Sequence, residues 1–102
     1  MKPKTETNKS QKTETKVFDF TKLEVLNIKD EIEIVDYSEY LGNVIYNTTP
    51  DIGAMDKARE IFHTGKTELT LMEMTYFQSL FQESKAVPAA LKLTLKNFLK
   101  FE

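Results

Sequence analysis

The chain has 102 residues, 40% of them apolar, with one histidine and no cysteine, so it holds one small core and excludes disulfides, thiolate metal sites and cysteine nucleophiles. Net charge is −2 but unevenly divided: residues 1–16 carry five lysines against two glutamates (+3), and the remainder carries nine basic against fourteen acidic residues (−5). An acidic body repels a nucleic-acid backbone unless basic side chains gather on one face.

The amino-terminal stretch is basic but lacks an apolar h-region, so no secretory signal is expected and a cytoplasmic location is. No apolar run approaches the roughly 18–20 residues needed to span a membrane. Asn47-Thr48-Thr49 matches a glycosylation sequon, which has no role in a protein kept in the cytoplasm. Residues 1–16 are Lys, Thr, Glu, Asn, Ser and Gln with almost nothing apolar, so burial cannot offset their ordering entropy. They are expected to form a disordered basic tail, and residues 17–102 a single small domain.

From Val17 the character changes. Val17, Phe18, Phe20, Leu23, Val25, Leu26 and Ile28 make one β-rich run, Lys29-Asp30-Glu31 a polar break, and Ile32, Ile34, Val35 and Tyr37 a second run. Two such runs around a short polar break predict a β-hairpin, although the Asn-Gly or Asp-Gly turn signature is missing. Alternation is faulty, because Leu23 and Val25 point one way and Leu26 and Ile28 the other. A bulge, or a strand covered on both faces, accounts for such a fault.

Ser38 reads as an N-cap for a helix through Tyr40, Leu41, Val44 and Ile45 to Tyr46, weakened at Gly42. The best-marked element follows, from Thr49 to Gly65. Thr49 reads as N-cap, Pro50 as first helical residue and Asp51 as the first-turn acid. Met55, Ala58, Ile61 and Phe62 form its core stripe, His63 lies in the last turn, and Gly65 is the left-handed stop. Thr67-Glu68-Leu69 fits an edge strand or an extended loop. Thr70-Leu71-Met72-Glu73 matches a capping box, opening a helix from about Leu71 to Glu83. After the break at Ser84–Val87 and Pro88, a last helix runs through Leu91, Leu95, Phe98 and Leu99 to near Phe101. Strands first and helices second predict an α+β fold, with an N-terminal β-hairpin followed by about four helices packed on a small sheet.

Chemistry is harder to find than architecture. With His63 alone and no cysteine, the usual triads and His-rich zinc sites cannot be built within one chain. Asp30, Glu31, Glu33 and Asp36 are dense enough to suggest a hard cation, but Glu31 and Glu33 alternate with Ile32 and Ile34 as a solvated strand face does, and the calcium-loop pattern is absent. Gly42, Gly53 and Gly65 are too far apart to cradle phosphate. No catalytic residue, cofactor or metal is therefore expected.

A surface role remains. Lys92, Lys96 and Lys100 recur every four residues as a basic stripe, and Met72, Met74 and Tyr76 add an adaptable apolar patch beside the core stripe of their helix. The candidate partner-binding residues are Met72, Tyr76, Lys92, Lys96 and Lys100. The expected function is a non-enzymatic protein-interaction or accessory module, acting on a protein partner or on a second copy of itself. The alternative is a small nucleic-acid-associated regulator using the basic tail and the Lys92/Lys96/Lys100 face. Arg59 is the only arginine, which suits base readout poorly.

The succession of a hairpin, Leu41-Gly42-Asn43-Val44-Ile45-Tyr46, the capped helix with Ala58-Arg59-Glu60-Ile61, and Thr67-Glu68-Leu69-Thr70 resembles small proteins encoded in bacterial prophages and other mobile elements. The resemblance spans about Val25 to Leu99 and rests on pattern, with no catalytic motif. It implies an accessory or assembly role through partners, and it carries no functional residue across.

Overall fold

The computed structural model describes residues 14–100. Along the chain run β1 (Thr15–Asp19), β2 (Leu23–Leu26), β3 (Ile32–Val35), α1 (Ser38–Thr48), α2 (Ile52–Thr64), β4 (Lys66–Thr70), α3 (Leu71–Glu83) and α4 (Ala89–Phe98). Among the described residues the fold is α+β, with the hairpin β2–β3 early in the chain and four helices after it. The strands form two separate two-stranded antiparallel sheets, β1–β4 and β2–β3. Residues 1–13 of the expected tail lie outside the described residues. Thr15 and Lys16 do not belong to a tail: they are strand residues, paired with Thr70 and Leu69.

The apolar run from Val17 to Ile28 is cut in two by a side-chain turn. Asp19 Oδ1 accepts from the Thr21 backbone N–H (3.0 Å) and from Thr21 Oγ1 (2.5 Å), which bends the chain at Phe20. Phe20 itself is fully buried, and its N–H donates to the Gly65 carbonyl (2.7 Å), so an apolar residue occupies the corner. β1 is thereby free to leave the hairpin and pair with β4, with Phe18 opposite Thr67.

The same device recurs at the start of α1. Asp36 Oδ1 accepts from the Ser38 N–H (2.9 Å) and Ser38 Oγ (2.6 Å). Ser38 is therefore not an N-cap; its hydroxyl is spent on Asp36, and it becomes the first residue of a helix that runs on to Thr48. The N-cap of α2 also differs from expectation. Asp51, not Thr49, caps it, its carboxylate accepting from Ala54 N–H (2.8 Å), while Thr49 Oγ1 accepts from Asp51 N–H (3.1 Å). An ionised acceptor makes the stronger bond to a helix N-terminus, so the later residue prevails.

Gly65 ends α2 in the left-handed conformation (φ 82°), and the capping box of α3 is complete: Thr70 Oγ1 accepts from Glu73 N–H, and the Glu73 carboxylate accepts from Thr70 N–H. The short link between α1 and α2 makes them an antiparallel pair. Gly42 explains how closely they lie: a Cβ there would sit 2.9 Å from the Ala58 carbonyl oxygen and 3.0 Å from Phe62 Cβ.

One core joins the elements, centred on Phe18, Phe20, Leu23, Leu41, Ile45, Ile61, Leu69, Phe77, Phe81, Leu91 and Leu95. The buried residues of α2 are Ala54, Ala58 and Ile61; Met55 and Phe62 are only half-buried, so the core stripe is turned slightly from the expected one. Phe98 closes the base, edge-on to Phe18 (5.6 Å between ring centres) and Phe20 (5.1 Å). α4 ends there rather than near Phe101, which lies outside the described residues. Among the described elements β3 is the exception, since none of its four residues is buried.

Candidate functional site

The hairpin is built around Asn27. Its side-chain oxygen accepts from the N–H groups of Lys29 (2.8 Å) and Glu31 (3.0 Å), closing a tight loop with Asp30 in the left-handed region (φ 63°). This three-residue loop with a left-handed last position is a standard hairpin connection in which aspartate stands where glycine is commonest. It replaces the missing Asn-Gly signature.

Register then decides where every group on the hairpin points. Leu23 pairs with Val35, Glu24 with Ile34, Val25 with Glu33 and Leu26 with Ile32. Asn27 N–H donates to the Glu31 carbonyl (2.9 Å), so the next hydrogen-bonded pairs inward are Val25–Glu33 and Leu23–Val35. The backbone groups of Glu24, Leu26, Ile32 and Ile34 must face away from the partner strand. One contact agrees: the Glu24 carbonyl accepts from Thr94 Oγ1 of α4 (2.9 Å), which holds α4 against the β2 edge. Among the described residues β3 pairs with β2 alone, so its Ile32 and Ile34 N–H and C=O groups form an open edge.

Side chains divide by the same parity. Leu23 is buried and Val25 and Val35 half-buried, facing the core. Glu24, Leu26, Ile32 and Ile34 share the other face; its three apolar side chains are 46–65% exposed, and Ile28 at the tip is 99% exposed. The fault in alternation therefore marks neither a bulge nor a strand covered on both faces. It marks a hairpin with a second apolar face left open. Across from it, Leu93 of α4 is also exposed, and between them runs an open groove of about 580 Å³, lined by Leu26, Ile32, Ala90 and Leu93 and by the polar Lys22, Glu24, Thr94 and Asn97. Contiguous exposed apolar surface of this kind marks an interaction site more often than scattered single residues do.

Electrostatics give the hairpin a sign. Residues 22–36 hold two lysines (22, 29) against five carboxylates (24, 30, 31, 33, 36), a local charge of −3. Glu31 and Glu33 sit on the core-side face beyond the core's reach, both bonded by Asn27 Nδ2. The dense acidic group does not converge on a common point. Asp36 is committed to Ser38, and among the described residues no group of three or more His, Asp or Glu is placed to hold a metal ion. Those hydrogen bonds from Ser38, side chain first and then backbone, hold the Asp36 carboxyl below its ordinary range, and the bonds from Thr21 do the same for Asp19.

The sequence-derived candidates fall on two other surfaces. Met72 is exposed and Tyr76 partly so, beside a depression of about 380 Å³ shared with Pro50, Asp51 and Lys57; the Tyr76 hydroxyl lies 2.6 Å from Thr49 Oγ1. Lys92, Lys96 and Lys100 follow the α3–α4 seam. There Gln82 Nε2 donates to the Lys92 carbonyl (2.8 Å), Gln78 Nε2 to the Lys96 carbonyl (3.3 Å) and Lys16 Nζ to the Lys100 carbonyl (2.8 Å). Lys92 is half-buried, whereas Lys96 and Lys100 are exposed. Tyr76 and Gln78 are two residues apart on α3, about 200° around its axis, so the two groups lie on different flanks and form no single surface. In the sequence the hairpin face is marked only by its faulty alternation, because Ile32 and Ile34 read as core.

Among the described residues no helix is long and apolar enough to cross a membrane. No protein-family model, curated protein or solved structure matches the chain.

Proposed function

We propose that the chain is a non-enzymatic protein-interaction module of accessory or assembly type, docking through the outer face of its β2–β3 hairpin. The observation that carries this reading is the exposure of Leu26, Ile28, Ile32 and Ile34 together on one hairpin. The phage-type setting implied by the sequence resemblance is the proposed biological context, and the cytoplasm the proposed location. The lone His63 is exposed at the end of α2, where the helix dipole accounts for it.

The test is comparative capture with wild type and an Ile32→Ser/Ile34→Ser variant. Both side chains are largely exposed, so the variant keeps its fold and melting point. Proteins retained by wild type are lost by the variant. Identical sets from both, or a strict monomer that retains nothing, refute the reading.

A second reading, the nucleic-acid-associated regulator, draws on one contact. Lys16 reaches the Lys100 carbonyl and so joins Lys96 and Lys100 at the end of α4. Duplex DNA titrated at low salt tests it, because the phosphate contribution is greatest there. Absence of binding under those conditions removes it.

A further inference from the structure

Resting on the interaction reading, we infer that the partner adds as an antiparallel β-strand to the open edge of β3, and that it is a segment alternating apolar with Lys or Arg residues. Three observations converge. The backbone groups of Ile32 and Ile34 face outward by register, and among the described residues no strand pairs with them. The opposite edge of the hairpin carries α4, whose Thr94 Oγ1 bonds the Glu24 carbonyl, so the β3 edge is the more open of the two. The two faces of β3 differ in character: Ile32 and Ile34 project on the open face and Glu33 on the other, where Glu31 also lies.

A strand laid along this edge places alternate side chains on alternate faces. Those opposite Ile32 and Ile34 meet apolar surface, continuous with Leu26 and the groove toward Leu93. Those opposite Glu33 and Glu31 meet carboxylates on a hairpin of net charge −3, where cationic side chains pair favourably and acidic ones repel. A second copy is disfavoured on the same ground. Pairing β3 with its own copy about Glu33 sets Glu33 against Glu33, and pairing about Ile34 still leaves the two glutamates diagonal neighbours. Residues 1–13 have the right charge but no apolar residue after Met1 to meet Ile32 and Ile34.

The probes are two blocked hexapeptides, one alternating Lys and Val and one alternating Glu and Val, added to the full chain. Amide hydrogen exchange at Ile32 and Ile34 is read by NMR. With the Lys–Val peptide at ten times its Kd, exchange at both amides slows about tenfold, while the Glu–Val peptide has no effect. Ile34→Pro removes an outward N–H without touching the β2–β3 ladder, and it abolishes the protection. Glu33→Lys keeps every backbone group and reverses the preference between the peptides, so the charge argument stands or falls even if the proline variant unfolds.

Failure of the Lys–Val peptide to protect these amides overturns strand addition. If it binds while shifts appear only at Leu26, Ala90 and Leu93, strand addition fails and the interaction reading survives. Equal binding of both peptides overturns the partner chemistry. Ile32 and Ile34 amides already protected in the free chain also overturn the proposal: loss of that protection on dilution assigns the edge to a second copy, and its persistence on dilution but loss on deleting residues 1–13 assigns it to this chain's own N-terminal segment.

Discussion

Gly65 is the residue whose replacement most directly tests the packing described above. An alanine Cβ there lies 2.2 Å from Thr21 Cγ2, where ordinary contact needs about 3.5 Å, a shortfall of about 1.3 Å. Thr21 cannot swing aside cheaply, because its Oγ1 and N–H are both bonded to Asp19 Oδ1. The left-handed backbone (φ 82°) costs a non-glycine residue about 1–2 kcal/mol. Reduced freedom of the unfolded chain returns about 0.4–1 kcal/mol. Overpacking adds about 1–3 kcal/mol. Gly65→Ala should therefore destabilise by about 3 kcal/mol, out of about 5–15 kcal/mol for a chain of this size. In a thermal melt that is a fall of about 10–20 °C. The steric share is separable. Thr21→Ser deletes the offending methyl and keeps the hydroxyl for Asp19, so combined with Gly65→Ala it should recover about 1–2 kcal/mol. Urea unfolding of the four proteins in this cycle measures both quantities. A loss below about 0.5 kcal/mol in Gly65→Ala, or no recovery with Thr21→Ser, would refute the account of this corner.

Three further outcomes are expected. Gly42→Ala gains about 1 kcal/mol of helix propensity but meets backbone oxygen at 2.9 Å, so the protein should lose about 1 kcal/mol net; a raised melting temperature would mean that α1 and α2 lie further apart than described. Thr70→Ala removes the capping box of α3 and should cost about 1 kcal/mol in urea unfolding, whereas an unchanged midpoint would show that the cap is idle. Asp19 and Asp36 have carboxyl groups held below their ordinary range, so each binds its proton more weakly folded than unfolded. Their contribution is present above the unfolded value near pH 4 and is lost as pH falls through the lower folded value. Asp19→Asn and Asp36→Asn should thus be less stable than wild type at neutral pH and converge with it in acid; parallel stability curves across that range would exclude the mechanism.

Much of the local structure could be read from the chain because its causes are local. The capping box at Thr70 and Glu73, the left-handed stop at Gly65 and the periodicity of Phe77 and Phe81 each depend on neighbours within a turn or two. The helix N-termini were less legible, since Thr49 and Asp51 are both competent caps and the choice rests on which oxygen reaches which N–H. At Ser38 the competing acceptor, Asp36, lay two residues outside the expected cap.

The hairpin shows where sequence stops. Asn27 and Asp30 supply a turn, and the two apolar runs supply strands, all by local rules. That β1 pairs with β4, some fifty residues on, depends on the Asp19–Thr21 corner and on Phe20 N–H meeting the Gly65 carbonyl. Isoleucine at 32 and 34 has the same propensity whether buried or exposed; only the packing of every other element around Phe18, Phe20 and Phe77 decides that β3 is left outside. Sequence thus determined which segments become helix or strand, because backbone propensity and capping act over a few residues. Tertiary structure alone decided which apolar face the core had no room to cover, because burial depends on the whole chain at once.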